Sequence, residues 1–235
     1  MKVEEITKRV KPIVKSNKNF SKIFCIGSNK TGTTSLAATL EIYGYSLPNQ
    51  LNQEMEISKQ TYLGNFSPLK EFVNKYDAFQ DLPFSIDNYY IAADALYPNS
   101  KFILTERDPE DWYNSIVRYD QKKYGIDNLK NLKEEDINDK FNYLFEGYRK
   151  MTMQKYITEI NNNKVYFNWD LLYDKETYIN YYIERNNQIK KYFHNRNNAF
   201  LILDLKKEKD TEKLCNFLNI PIKHKFNFPH LNKSI

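Results

Sequence analysis

The stretch from Lys22 to Ser35 constrains this chain more than any other part of it. Lys22 to Ile26 is a short apolar run that ends at Gly27, and it reads as a buried strand. Thr33 to Tyr43 reads as a helix, with Leu36, Leu40 and Tyr43 on one face and Gly44 as its stop. Between the two lies Gly27-Ser28-Asn29-Lys30-Thr31-Gly32-Thr33-Thr34-Ser35. A strand–loop–helix junction aims unpaired backbone N–H groups outward, and the helix dipole adds partial positive charge, so an anion placed there is held by both. Thr33, Thr34 and Ser35 add hydroxyl donors and Lys30 adds a full charge. A plain turn with capping threonines has no use for that lysine, so the segment reads as a phosphate cradle.

The rest of the chain repeats the alternation. Tyr76 to Gln80, Lys101 to Thr105 and Ala199 to Leu205 are further strand candidates. Asp108-Pro109-Glu110-Asp111 is a helix start, with Asp as cap, Pro at the first position and acids in the first turn, and that helix is expected to run to about Tyr119. Residues 46–70 read as loop with some helix, 120–133 as a surface excursion, Glu134 to Ile160 as mostly helical, and Lys175 to Phe193 and Asp210 to Leu218 as helices. Strands alternating with helices predict an α/β fold with a parallel sheet covered on both faces. Ligands gather at the carboxyl ends of such strands, and Gly27, Asp81 and Arg107 each follow one.

The 235 residues suit one domain over 20–235 preceded by an N-terminal arm, 1–19. A net charge of +5 fits a polyanionic ligand but is too weak and too scattered to imply nucleic acid. No apolar stretch reaches the length of a membrane span, and the first residues lack the apolar core of a signal peptide, so no stable membrane anchor is expected. Cys25 and Cys215 form no metal or disulfide pattern; Cys25 reads as a buried free thiol, and a reducing, cytoplasmic setting is the simplest expectation.

An ATP-binding loop would read G-x-x-x-x-G-K-S/T. Here Thr33 follows Gly32, and Lys30 stands two residues ahead of that glycine. This spacing resembles the 5'-phosphosulfate loop of the sulfotransferases that use 3'-phosphoadenosine-5'-phosphosulfate (PAPS), with Asn29 where that family often carries Pro. Thr105 to Ser115 resembles the family's 3'-phosphate motif, in which an Arg and a Ser stand eight positions apart, as Arg107 and Ser115 do. Gln80 to Phe84, Leu214 to Ile222 and Asn227 to Asn232 extend the likeness to one branch of the family, over roughly 20–233.

The resemblance implies a three-layer sandwich like that of P-loop NTPases, with a central parallel sheet flanked by helices. It implies PAPS bound by Ser28 to Ser35, Arg107 and Ser115. Lys233 in the tail is a further candidate for the 3'-phosphate, with a solvated tail lysine as its equal alternative. It further implies in-line transfer of the sulfuryl group to an oxygen or nitrogen, release of 3',5'-ADP, no required metal, and Lys30 neutralising the leaving oxygen. The position after the loop threonines, where many relatives place a Trp on adenine, is Ser35.

An acceptor hydroxyl needs a base. Asp81, at the second strand end, is the first candidate; capping the turn at Pro83 is its competing role, and His230 is the second candidate. Burial and a nearby Lys30 would push the Asp81 pKa in opposite directions. Alone, Arg107 could serve as an ion-pair partner, and Trp112 reads as core rather than ligand contact. Two other classes stay open: a P-loop kinase, for which Phe200 to Asp204 imitates a magnesium-binding strand, and a non-catalytic protein binding PAPS or 3',5'-ADP. The acceptor is a small molecule, a glycan or a protein, and the oligomeric state is left open.

Overall fold

The computed structural model describes residues 19–231 and divides into two compact units. The first takes the chain up to Arg107 and again from Ile189; the second is Asp108–Gln188.

The first unit is built on four parallel strands in the order β2-β1-β3-β6: β1 (Ile23–Cys25), β2 (Ala78–Gln80), β3 (Lys101–Thr105) and β6 (Phe200–Leu203). Successive side chains on a strand point to opposite faces, and here both faces are apolar. Ile23, Cys25, Ile103, Leu201 and Leu203 pack on one side with Leu36 and Leu40 of α1 (Thr33–Ile42) and Leu214 and Leu218 of α8 (Glu212–Leu218). Phe24, Ile26, Phe79, Phe102 and Leu104 pack on the other. Their partners there are Phe72 of α3 (Ser67–Asn74), Tyr90 of α4 (Tyr89–Leu96) and Phe193, just past the end of α7 (Lys175–Tyr192). The sheet is therefore the middle of three layers, the parallel arrangement flanked by helices that the alternation predicts. Cys25 and Cys215 are buried free thiols, and burial pushes the Cys25 thiol well above its ordinary range.

The segment read as loop with some helix is more ordered than expected. It folds as α2, which runs through Gln50–Gln53, a π-helical turn Glu54–Ser58 and Lys59–Tyr62. The helix α4 carried no distinct sequence signal, and its cap residue Asn88 makes no side-chain cap.

The second unit begins with α5 (Pro109–Tyr124). Asp108 caps it as predicted, accepting from the N–H groups of Glu110 and Asp111 at 3.0 and 3.1 Å. The helix continues one turn past Tyr119 to an αL cap at Gly125; most of 121–133 is exposed, as expected of a surface excursion, but Leu129 and Leu132 are buried and pin it. Helical structure over Glu134 to Ile160 is confined to short 3₁₀ turns and α6 (Tyr148–Gln154). The remainder is a correction to the sequence reading. Thr158–Asn161 (β4) and Lys164–Phe167 (β5) pair antiparallel, and Asn162 and Asn163, both at positive φ, make the two-residue turn. The core of this unit is aromatic: Trp112 stacks on Tyr182 with ring centroids 4.4 Å apart, which settles Trp112 as packing. Arg149 pairs with buried Asp120 at 3.2 Å, and Tyr173 donates to the same carboxylate at 3.0 Å.

Among the described residues no helix is long and apolar enough to cross a membrane.

Candidate active site

The loop after β1 is shaped by two backbone requirements. Gly27 lies against β3 so closely that a Cβ would meet Thr105 Oγ1 at 2.0 Å and the Thr105 backbone N and O at 2.8 Å. That approach lets the Thr31 hydroxyl meet the Thr105 hydroxyl at 2.6 Å and also donate to the Ser28 carbonyl at 2.6 Å, which ties the loop to the sheet. A Gly27→Ala change is expected to destabilise the chain by about 3 kcal/mol, because the β3 backbone as well as the Thr105 side chain stands in the way. Thermal unfolding checks this: the midpoint should fall by roughly 6 to 12 °C.

Beyond the glycine, Lys30 (φ 70°) and Gly32 (φ 97°) are both left-handed. Gly32 is the N-cap of α1, yet no side chain caps that helix and no acid stands in its first turn. Its amides therefore face the loop rather than an internal carboxylate, as an anion site requires. Arg107, two residues past β3, donates from Nη1 to the Lys30 carbonyl at 3.2 Å. The arginine of the second motif is thus bonded directly to the first loop. Thr31, Thr33 and Ser35 are buried, Ser28, Lys30 and Thr34 are half-buried, and Asn29 is exposed.

Asp81 follows β2 at φ 65° and is 6% exposed. With its amide nitrogen toward Asp81, Asn29 donates at 2.5 Å to Oδ1 and 3.3 Å to Oδ2; the opposite orientation would set oxygen against oxygen. Gln50 Nε2 donates to Asp81 Oδ2 at 3.0 Å and Ser85 Oγ to Oδ1 at 3.3 Å. Burial first, and the negative charge of Glu54 second, push the Asp81 pKa up to about 7, against donors from Ser85 and the Leu82 backbone. The net direction is the one expected from burial; the groups that oppose it are Ser85 and the Leu82 backbone, not the Lys30 that the sequence suggests. The competing role, capping the turn at Pro83, has side-chain support in the Leu82 backbone N–H and the Ser85 hydroxyl on the carboxylate, while the Ser85 N–H donates to the Asp81 backbone carbonyl.

Three residues of this site escaped the sequence reading, all on α2. Gln53 donates to the Gln80 and Leu82 carbonyls at 2.7 and 2.5 Å and so holds the turn that carries Asp81. Gln50 donates to the carboxylate itself, and Glu54 acts on it through its charge. The spacing Gln50, Gln53, Glu54 places three polar side chains on one helix face, a signal usually assigned to solvent.

The other site residues are placed as follows. Ser115 is buried on α5 in the second unit. Leu231 donates its N–H to Ser35 Oγ at 3.3 Å, which lays the tail along the start of α1; the neighbouring His230 is exposed. Lys233 lies outside the described residues. Asp204 accepts from the Lys206 N–H at 3.0 Å and pairs with Lys207 at 3.2 Å, so its place at the end of β6 is accounted for by the turn it closes.

Comparison with curated protein sequences gives no match. A family model, the sulfotransferase domain, matches residues 22–235, which include the loop, Asp81 and Arg107. The chain belongs to the sulfotransferase domain family.

Proposed function

We propose that this chain transfers the sulfuryl group of PAPS to a hydroxyl or amine of a small-molecule, glycan or protein acceptor and releases 3',5'-ADP. The observation that carries this reading is the loop itself: an uncapped helix start behind two left-handed residues, with Arg107 held to the carbonyl of Lys30. The donor supplies an electrophilic sulfur and a phosphate leaving group. Backbone N–H groups at the start of α1, with the Thr33, Thr34 and Ser35 hydroxyls, hold the 5'-phosphate. Arg107 takes the 3'-phosphate with its planar fork.

The acceptor oxygen forms its bond to sulfur while the bond from sulfur to the bridging oxygen breaks. Lys30 balances the charge left on that oxygen, and Asp81 receives the acceptor proton. Two of the donors on the Asp81 carboxylate, Asn29 and Gln50, belong to exposed residues, and in this reading the acceptor hydroxyl takes the place of the Asn29 amide. Asp81 serves only when ionised, so the rate rises with pH through about 7. Buried thiols fit a cytoplasmic setting.

Ligand-dependent unfolding tests the donor assignment. At about a hundred times its dissociation constant, 3',5'-ADP should stabilise the fold by ~2.7 kcal/mol, a rise of roughly 5 to 10 °C. Mg·ATP at the same concentration should give much less. Stabilisation by Mg·ATP alone would sink the reading.

A further inference from the structure

Asp81 is not the only buried carboxylate at this strand end. Glu54 is 1% exposed and opens the π-helical turn of α2; such turns recur at functional sites. The two carboxylates converge on a single nitrogen: Gln50 Nε2 donates to Glu54 Oε1 at 2.9 Å and to Asp81 Oδ2 at 3.0 Å. Gln80 Nε2 in turn donates to Gln50 Oε1 at 2.9 Å, which fixes which end of the Gln50 amide faces the acids. Gln53, from the same helix, clamps the backbone on both sides of Asp81. The groups that face Asp81 are Asn29 from the phosphate loop, Gln50 and Glu54 from α2, and Ser85 from its own turn. Of these only Glu54 titrates.

We propose that Glu54 is a positioning residue for the base, holding one proton jointly with Asp81 across the Gln50 amide. Two carboxylates removed from water and joined by one donor cannot both ionise cheaply. The last proton is therefore retained to near-neutral pH and belongs to the pair. A lone carboxylate in contact with solvent would be too weak a base to draw a proton from an alcohol; the second acid raises its basicity toward working pH. The inference rests on the reading of Asp81 as base, but its test does not require a known acceptor.

The test is a pH titration of the full chain with ¹³C-labelled Asp and Glu carboxyls, followed by NMR. In the wild type, the Asp81 and Glu54 resonances should both move through one step near neutral pH. In Glu54→Gln, which keeps the acceptor for Gln50, the Asp81 step should shift to lower pH by about one unit. The thermal shift given by 3',5'-ADP should stay as in the wild type; its loss in both proteins would count against the donor assignment instead. The absence of a near-neutral carboxyl step in the wild type overturns the proposal, as does a step in which Asp81 moves alone. Either result is read from the wild type, whether or not the variant folds. An unchanged Asp81 step in a folded Glu54→Gln overturns it as well.

Discussion

Replacing Lys30 by methionine is expected to lower sulfate transfer by about a hundred- to a thousandfold while the loop keeps its shape. The two halves of that expectation have separate physical sources. The rate loss follows from removing a charge aimed at the bridging oxygen, where negative charge appears as the sulfur–oxygen bond breaks. The shape is kept because the loop is held by atoms that the substitution leaves alone. Arg107 bonds to the Lys30 carbonyl, not to its side chain, and Thr31 is anchored on Thr105 and on the Ser28 carbonyl. The left-handed φ of Lys30 strains methionine no more than lysine. Transfer is measured from labelled PAPS to an acceptor recovered by profiling a cell extract, and 3',5'-ADP affinity by calorimetry. A fall in affinity as large as the fall in rate would mean that Lys30 binds the ground state only. Undiminished turnover would remove it from the chemistry.

What could be read without a structure followed from how local each signal is. The loop is contiguous, and so is the Asp108 cap, whose bonds reach only Glu110 and Asp111. The strands β1, β3 and β6 are apolar on both faces and announce themselves as short runs. The hairpin β4–β5 did not, because both of its strands are exposed, and its charged and amide residues suit a helix as well as a strand. Its one mark was Asn162-Asn163, a pair that tolerates the positive φ of a tight turn. The polar face of α2 was illegible for another reason. Gln50, Gln53 and Glu54 are polar residues in a polar stretch; Gln53 and Glu54 are buried, and Gln50 and Gln53 find their partners some thirty positions along the chain, at Gln80 to Leu82. Hence Asp81 could be singled out from its place at a strand end, whereas the groups around its carboxylate could not.

Asp81→Asn should abolish transfer and make the protein more stable at the pH where the wild type works. A positioned base contributes about a hundred- to ten-thousandfold, and asparagine cannot accept the proton. Asparagine also suits the positive φ at this position, and its oxygen can still accept from Gln50 or Ser85, so the loss is chemical rather than structural. The stability change has the opposite sign to most core substitutions. The carboxyl titrates at about 7 in the fold against an ordinary value of 3.8, so between those values the native state holds a proton that the unfolded chain has released. The stability from that protonated carboxyl is fully present below about pH 4 and is lost as pH rises through 7. With about 1.4 kcal/mol per unit, ionising Asp81 costs the fold a few kcal/mol, a cost that the amide does not carry. Melting curves should therefore place Asp81→Asn above the wild type by on the order of 10 °C at pH 8, with the gap narrowing to about a third of that at pH 5 and closing near pH 4. An equal gap at pH 8 and pH 5 would mean that Asp81 is not the group whose charge burial opposes. An inactive protein without any gain at pH 8 would point to a structural role in the turn after β2.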